Sequence, residues 1–295
     1  MDSAEGSRTA VLVCQGRAAA QGRLAVGRFD DPVSERLLRS DERAAVEVVR
    51  SGNAPKSWPD RMEYERLRAT AEVMAPRTVA IDDAVAGDDA PQVVILGAGL
   101  DGRAWRMAAL AGKPVFEIDH PASQEDKRER LAAAPGGPLE PVAAAVTFVP
   151  VDFARDQLAD GLAGAGHRRD EATTWVWEGV VPYLTRKEIE LTMEQIEACS
   201  ARGSRLVVNY QSPSIGATFG LAVAQVLSDL AKRRNPTAKE PRRSAWTAEA
   251  MQGLMSHFGF TVTTDTDLAT LAGGLGVKTR NPRSLRAGRV VVADR

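Results

Sequence analysis

From residue 93 to residue 210, short apolar runs recur, and most are followed by a stretch of helical periodicity. Val93–Leu96, Pro114–Ile118, Val146–Val149, Thr173–Trp177 and Ser204–Tyr210 read as strands. Asp101–Leu110, Ala122–Ala133, Asp156–Leu162 and residues 185–200 read as helices between them. The last of these opens with a capping box, Thr185 followed three residues later by Glu188. Such alternation predicts an α/β fold with a doubly wound, mostly parallel, Rossmann-like sheet. Farther on, 213–234 reads as an added helix and Thr247–Gly259 as another. Phe260–Thr263 and Gly288–Ala293 read as closing strands.

The first 85 residues follow a different pattern. Val33, Leu37 and Leu38, then Tyr64, Leu67, Ala71 and Met74, return at three- and four-residue intervals with no strand-like alternation. Ser51–Pro55 and Ser57–Pro59 punctuate them as loops. The expected organisation is an N-terminal helical cap over 1–85, a polar junction at Ala86–Pro91, and a Rossmann-like catalytic domain over 86–295. A helical insert is expected near 212–245.

Composition narrows the function classes. The 295 residues are 44% hydrophobic and 26% charged, with a formal net charge of −1, so no global field favours nucleic acid or an anionic membrane. The short basic runs Lys232–Arg234 and Arg242–Arg243 read as solvated faces. Cys14 and Cys199 have neither metal nor redox spacing, which points to reduced thiols and no metal centre. The polar start lacks a secretory pattern, and no apolar run approaches the roughly 20 residues that span a bilayer. A cytoplasmic, monomeric chain is expected.

Candidate chemistry gathers where the predicted strands end. Asp101, Asp119, Asp152 and Glu178 follow four successive strands, whose carboxyl ends converge on one crevice in an open α/β sheet. Asp119 stands twenty residues after Gly99, a spacing that suits a carboxylate accepting two ribose hydroxyls. Asp152 and Phe153 could take an adenine amino group and ring face. Each aspartate could instead cap a following helix. Gly97-Ala98-Gly99-Leu100-Asp101-Gly102 matches G-x-G-x-x-G, which leaves open an NAD(P)-dependent oxidoreductase. Against that, Asp101 would repel a pyrophosphate, whereas its carboxylate could accept from a ligand's ammonium group.

Among the histidines, His120 is expected to orient its loop, and His167 and His257 to serve packing or surface roles, so no compelling general base emerges. Trp175 and Trp177 alternate along one strand and read as core rather than as an acceptor pocket. Arg103 and Arg106 read as members of helix-surface ion pairs.

Taken in order, VVILGAGLDGRAWRM, FEIDHP, VPVDF, WEGVVPYLT and GSRLVVNY resemble the leucine carboxyl methyltransferase-like branch of the class I S-adenosylmethionine-dependent methyltransferases. Ser7–Ala10, Arg17-Ala18, Phe29–Pro32 and Arg77–Asp83 are similar too. The likeness runs from about residue 7 to the end and is weakest over 130–145 and 212–245. It implies a methyltransferase sheet with an antiparallel last strand and S-adenosylmethionine as cofactor.

The resemblance also implies residue roles. Arg77 would hold the methionyl carboxylate, and Gly97, Ala98 and Gly99 would floor the cofactor beside Asp101. Asp119 would take the ribose, and Asp152 with Phe153 the adenine. Glu178 would lie beside the methionyl group and Tyr183 near the acceptor; these two are the catalytic candidates. Arg17 would be a further carboxylate contact from the cap. Gly102, Pro182 and Asn209 depart from the branch's usual residues, and Pro182 with the divergent 212–245 stretch leaves the acceptor open.

An O-methyltransferase acting on a carboxylate or hydroxyl of a small molecule or peptide is therefore expected. A carboxylate leads because it is ionised at neutral pH and needs no base. The oxidoreductase and a non-catalytic cofactor-binding protein are the alternatives.

Overall fold

The computed structural model describes residues 7–152, 156–213, 243–280 and 282–295. Seven strands form one sheet: β1 Gln92–Leu96, β2 Pro114–Asp119, β3 Ala145–Pro150, β4 Thr173–Trp177, β5 Arg205–Gln211, β6 Thr261–Asp267 and β7 Gly288–Asp294. Their order is β3-β2-β1-β4-β5-β7-β6. The first five strands run parallel, and β7 is antiparallel to both β5 and β6, as expected for the last strand. Strand order reverses between β2-β1 and β4, which opens a crevice at the carboxyl ends of these strands.

Each face of the sheet has its own core. Val93, Ile95, Val115, Val176 and Val207 point to one face, where they meet α1 (Arg8–Ala20), α3 (Ser40–Ser51) and α4 (Trp58–Ala86). Val94, Leu96, Phe116, Trp175, Trp177 and Val208 point to the other. There they pack on α7 (Leu158–Gly164), α8 (Arg186–Ala198) and α9 (Ala248–His257). Trp175 and Trp177 are fully buried, as their alternation predicted. Thr185 and Glu188 form the expected capping box at the start of α8. His167 is wedged between Phe116 and Trp175, and burial pushes its pKa down to about 4, so it packs as a neutral ring.

Several expectations need correction. The helix expected over Asp101–Leu110 is one turn, α5 (Arg103–Arg106), then an extended Met107 and a 3₁₀ turn at Ala108–Leu110. The Ala104 carbonyl accepts from Val142 and Ala143 N–H, at 2.9 Å each, and so is not available to continue the helix. β6 runs on through Thr264–Asp267, because Asp265 on this edge strand is anchored by Tyr210 (2.6 Å) and by Arg289 (2.9 Å). A helix at Leu268–Gly274, capped by Asp267, was not anticipated. The added helix expected at 213–234 lies outside the described residues apart from Pro213.

The N-terminal region is helical: α1, the short α2 (Pro32–Arg36), α3 and the 29-residue α4. Ser57 caps α4, so the expected loop at Ser57–Pro59 becomes its first turn. Among the described residues, no helix is long and apolar enough to cross a membrane.

Close contact between α1 and α4 depends on Gly16. A Cβ there would lie 2.6 Å from Thr70 Cγ2 and 2.9 Å from Met74 Cγ. Gly16→Val should therefore lower the unfolding free energy by about 1–3 kcal/mol through overpacking. Gly112→Ala, with open space around it, should stay within about 0.5 kcal/mol of the parent. Denaturant titration of the two variants checks the difference.

Candidate functional site

The turn after β1 closes on itself. Gly97 and Ala98 N–H both donate to the Ile118 carbonyl (2.8 and 3.1 Å), Gly99 N–H donates to the Asp119 carboxylate (2.5 Å), and Asp101 N–H to the Ala98 carbonyl (2.7 Å). Gly97 has φ +64°, and a Cβ there would fall 2.2 Å from Val180 Cγ2, so only glycine fits. These N–H groups are spent inside the fold. Asp101 also accepts from Arg103 N–H (2.7 Å), occupying the start of a helix only four residues long. A dinucleotide pyrophosphate needs a row of open N–H groups at a helix N-terminus, and this turn does not offer one.

The crevice beside the turn is a cavity of about 470 Å³. The Gly97–Asp101 turn and Asp119 floor it, Glu178, Val180 and Tyr183 line the β4 side, and Thr9, Ala10 and Val13 of α1 wall the other. Of the residues singled out in the sequence, Arg17, Arg77, Gly97, Ala98, Gly99, Asp101, Asp119, Glu178 and Tyr183 all line it. Asp152 lies just past β3 and is not among the described lining residues. Phe153 is outside the described residues.

Asp119 grips the turn rather than capping α6 (Pro121–Ala132). Its carboxylate accepts from Gly99 N–H and from His120 N–H (2.7 Å), and Ser123 adds a side-chain bond. Burial outweighs these bonds and raises its pKa above the usual aspartate value. His120 caps α6 instead, its Nδ1 accepting from Ala122 N–H (3.2 Å). This bond puts the neutral ring's proton on Nε2.

Behind the cavity lies a buried charge cluster that the sequence did not reveal. Arg77 Nε donates to Glu178 (2.7 Å), and one of its terminal nitrogens donates to Asn209 Oδ1 (3.4 Å). Arg103 is 1% exposed and is not a surface residue as expected. It donates to Glu178 (2.7 Å), Asp82 (2.7 Å) and Asp101. Arg106, also expected at the surface, pairs with Asp82 (2.7 Å) and Asp31 (3.6 Å) and is largely buried. The one-turn α5 faces inward against α2 and α4, so both arginines meet acids there. Arg17 donates to the Leu100 carbonyl (2.6 Å) and pairs with Asp31 (3.1 Å), tying α1 to the glycine turn.

The four arginines are not equally satisfied. Burial disfavours the charge on each, but anionic partners overcome it at Arg17, Arg103 and Arg106, whose pKa values rise. At Arg77 burial wins and the value falls, since it shares Glu178 with Arg103 and its other named partner is a neutral amide. Glu178 goes the other way: burial opposes its charge, but Arg103, Arg77 and Arg17 hold it well below the carboxylate range. Asp82, Arg103 and Asn209 could not have been assigned to this cluster from sequence, because the pairing is made only by the packing of α4 on the sheet.

Known proteins resemble this chain in sequence and in fold. Residues 10–197 match the leucine carboxyl methyltransferase family. A protein of Mycobacterium sp. (strain JLS) named "Putative S-adenosyl-L-methionine-dependent methyltransferase" is 30% identical over 267 residues, covering 85% of this chain and 86% of its own. The crystal structure of a DUF574-family protein from Streptomyces avermitilis has the same fold, with a TM-score of 0.54 at 14% identity over 99% of this chain and 98% of that one. A "putative methyltransferase" from Thermobifida fusca matches with a TM-score of 0.50 at 14% identity, over 96% and 94% of the two chains. This chain belongs to the leucine carboxyl methyltransferase family and is an S-adenosylmethionine-dependent methyltransferase.

Proposed function

We propose that the enzyme methylates a carboxylate oxygen of a small molecule or peptide, with the cofactor lying along the Gly97–Asp101 turn. The cofactor is an adenosyl group joined to a zwitterionic amino acid, and the cavity's donor set suits both ends. Asp119 is an anionic acceptor with lone pairs left for ribose hydroxyls. Arg77 is the under-compensated cation for the methionyl carboxylate, and Asp101 and Glu178 are the anions beside its ammonium group. The adenine end would extend toward Asp152 and Phe153, past β3. Residues 1–85 would serve as a cap whose α1 walls the cavity, and 86–295 as the cofactor-binding domain.

When bound, the cofactor supplies an activated methyl group on a sulfonium. The protein must then orient an acceptor oxygen at near-attack distance and keep water out. A carboxylate acceptor is supported by one observation: among the described residues lining the cavity, no carboxylate or imidazole is placed to take a proton. Asp119 is engaged by the turn, Asp101 is held by the Arg103 guanidinium, Glu178 is neutralised by two guanidinium groups, and His120 Nδ1 is occupied by Ala122 N–H. An acceptor already ionised needs none of them. Tyr183, which lines the cavity, would contact the acceptor. A hydroxyl acceptor would need a base within hydrogen-bond reach.

Three measurements test this. Asp119→Ala should weaken S-adenosylhomocysteine binding by calorimetry about 100-fold or more, the loss of two charge-assisted hydrogen bonds; unchanged affinity would remove Asp119 from the site. Because the Asp119 pKa is raised and the ionised form is the acceptor, affinity should be flat at alkaline pH. It should fall on acidification, starting nearer neutrality than an ordinary aspartate would allow, and Asp119→Asn should abolish that slope. Finally, label transferred from methyl-labelled cofactor to acceptors in a fractionated lysate should be released rapidly by alkali, as from an ester. Alkali-stable label would point to a hydroxyl acceptor instead.

A further inference from the structure

We infer that Arg103 is a positioning residue for the amino-acid end of the cofactor, acting through Asp101 and Glu178 without touching the ligand. The inference rests on the placement of the cofactor along the turn. Arg103 is not among the described residues lining the cavity, whereas Asp101 and Glu178 both are. One terminal nitrogen of its guanidinium serves both carboxylates, reaching Glu178 at 2.7 Å, and its Nε is anchored at the rear by Asp82 of α4 (2.7 Å). Three elements far apart in sequence are thus joined by one rigid fork.

The carboxylates would not keep this geometry alone. Asp101 and Glu178 are buried anions that share a hydrogen-bond donor, and without Arg103 their repulsion would turn one away or protonate it. Arg77 cannot substitute, because it faces only Glu178 of the pair, and Arg17, whose charge reaches both, spends its hydrogen bonds on the Leu100 carbonyl and its ion pair on Asp31. A lysine cannot either: its ammonium is a point charge on a flexible stem and lacks the planar fork needed to span three acids. The adenosyl half, by contrast, is served by Asp119 and by the hydrogen bonds of Gly97, Ala98 and Gly99 to Ile118 and Asp119, none of which involves Arg103. Arg103 should therefore govern recognition of the amino-acid end alone.

That separation is measurable with two ligands, S-adenosylhomocysteine and 5′-methylthioadenosine, which has the adenosyl group but no amino acid. By calorimetry on the full-length protein, Arg103→Lys should weaken S-adenosylhomocysteine about tenfold or more while 5′-methylthioadenosine stays within about twofold. Asp119→Ala should weaken both ligands. Should Arg103→Lys not fold, Asp82→Asn, which removes the rear anchor, should shift the ratio of the two affinities in the same direction by about threefold or more. An unchanged ratio in the folded variants, with both ligands lost or both retained, overturns the inference and leaves Arg103 a structural ion pair. Failure of the parent protein to bind S-adenosylhomocysteine is a separate result, and it removes the site itself.

Discussion

The cavity depends on keeping Glu178 charged while burying it. Its two oxygens are taken separately, one by Arg77 of α4 and one by Arg103 of α5. A lone carboxylate at that depth would take up a proton; two guanidinium groups keep it anionic. Buried pairs of this kind add little to net stability, because desolvation offsets most of the attraction. Removing one partner, however, leaves an uncompensated charge at a cost of about 3–5 kcal/mol. The cluster therefore acts as a constraint on geometry. It fixes α4, the turn after β1 and the end of β4 in one arrangement, and the cavity is the space left in front of it.

That arrangement also selects the kind of ligand. Glycines in the β1 turn bring the backbone close to a ligand, yet the N–H groups of Gly97, Ala98, Gly99 and Asp101 are consumed by Ile118, Asp119 and Ala98. A dinucleotide fold would keep such groups, and a long helix dipole, for phosphate. Here the helix is one turn long and its start is filled by Asp101. The residues facing the cavity instead set the carboxylates Asp101, Asp119 and Glu178 beside the under-compensated Arg77, which suits a sugar and a zwitterion. The same economy of charge leaves no unengaged base among the described lining residues, which turns the proposed chemistry toward an acceptor that arrives ionised.

Much of the fold was legible in the sequence because strand and turn signals are local. Val93–Leu96 followed by glycines, Thr173–Trp177 with its alternating tryptophans and the Thr185–Glu188 capping box each declare themselves within a few residues. The strand-end acids Asp101, Asp119 and Glu178 were legible for a related reason: the phase of an acid just past a strand is set by topology. What failed was set by distant partners. The expected helix after Asp101 stops because Val142 and Ala143, far along the chain, claim the Ala104 carbonyl. Arg103 and Arg106 looked like surface charges, since no local pattern shows that Asp82 and Asp31 will be packed against them.

The most direct test of the account is a crystal structure of the protein with S-adenosylhomocysteine. It should show the ribose hydroxyls within hydrogen-bond distance of the Asp119 carboxylate and the homocysteinyl carboxylate on the Arg77 guanidinium, with Glu178 still joined to Arg103. A ligand bound away from the Gly97–Asp101 turn, or one seated there with Asp119 and Arg77 both out of reach, would contradict it.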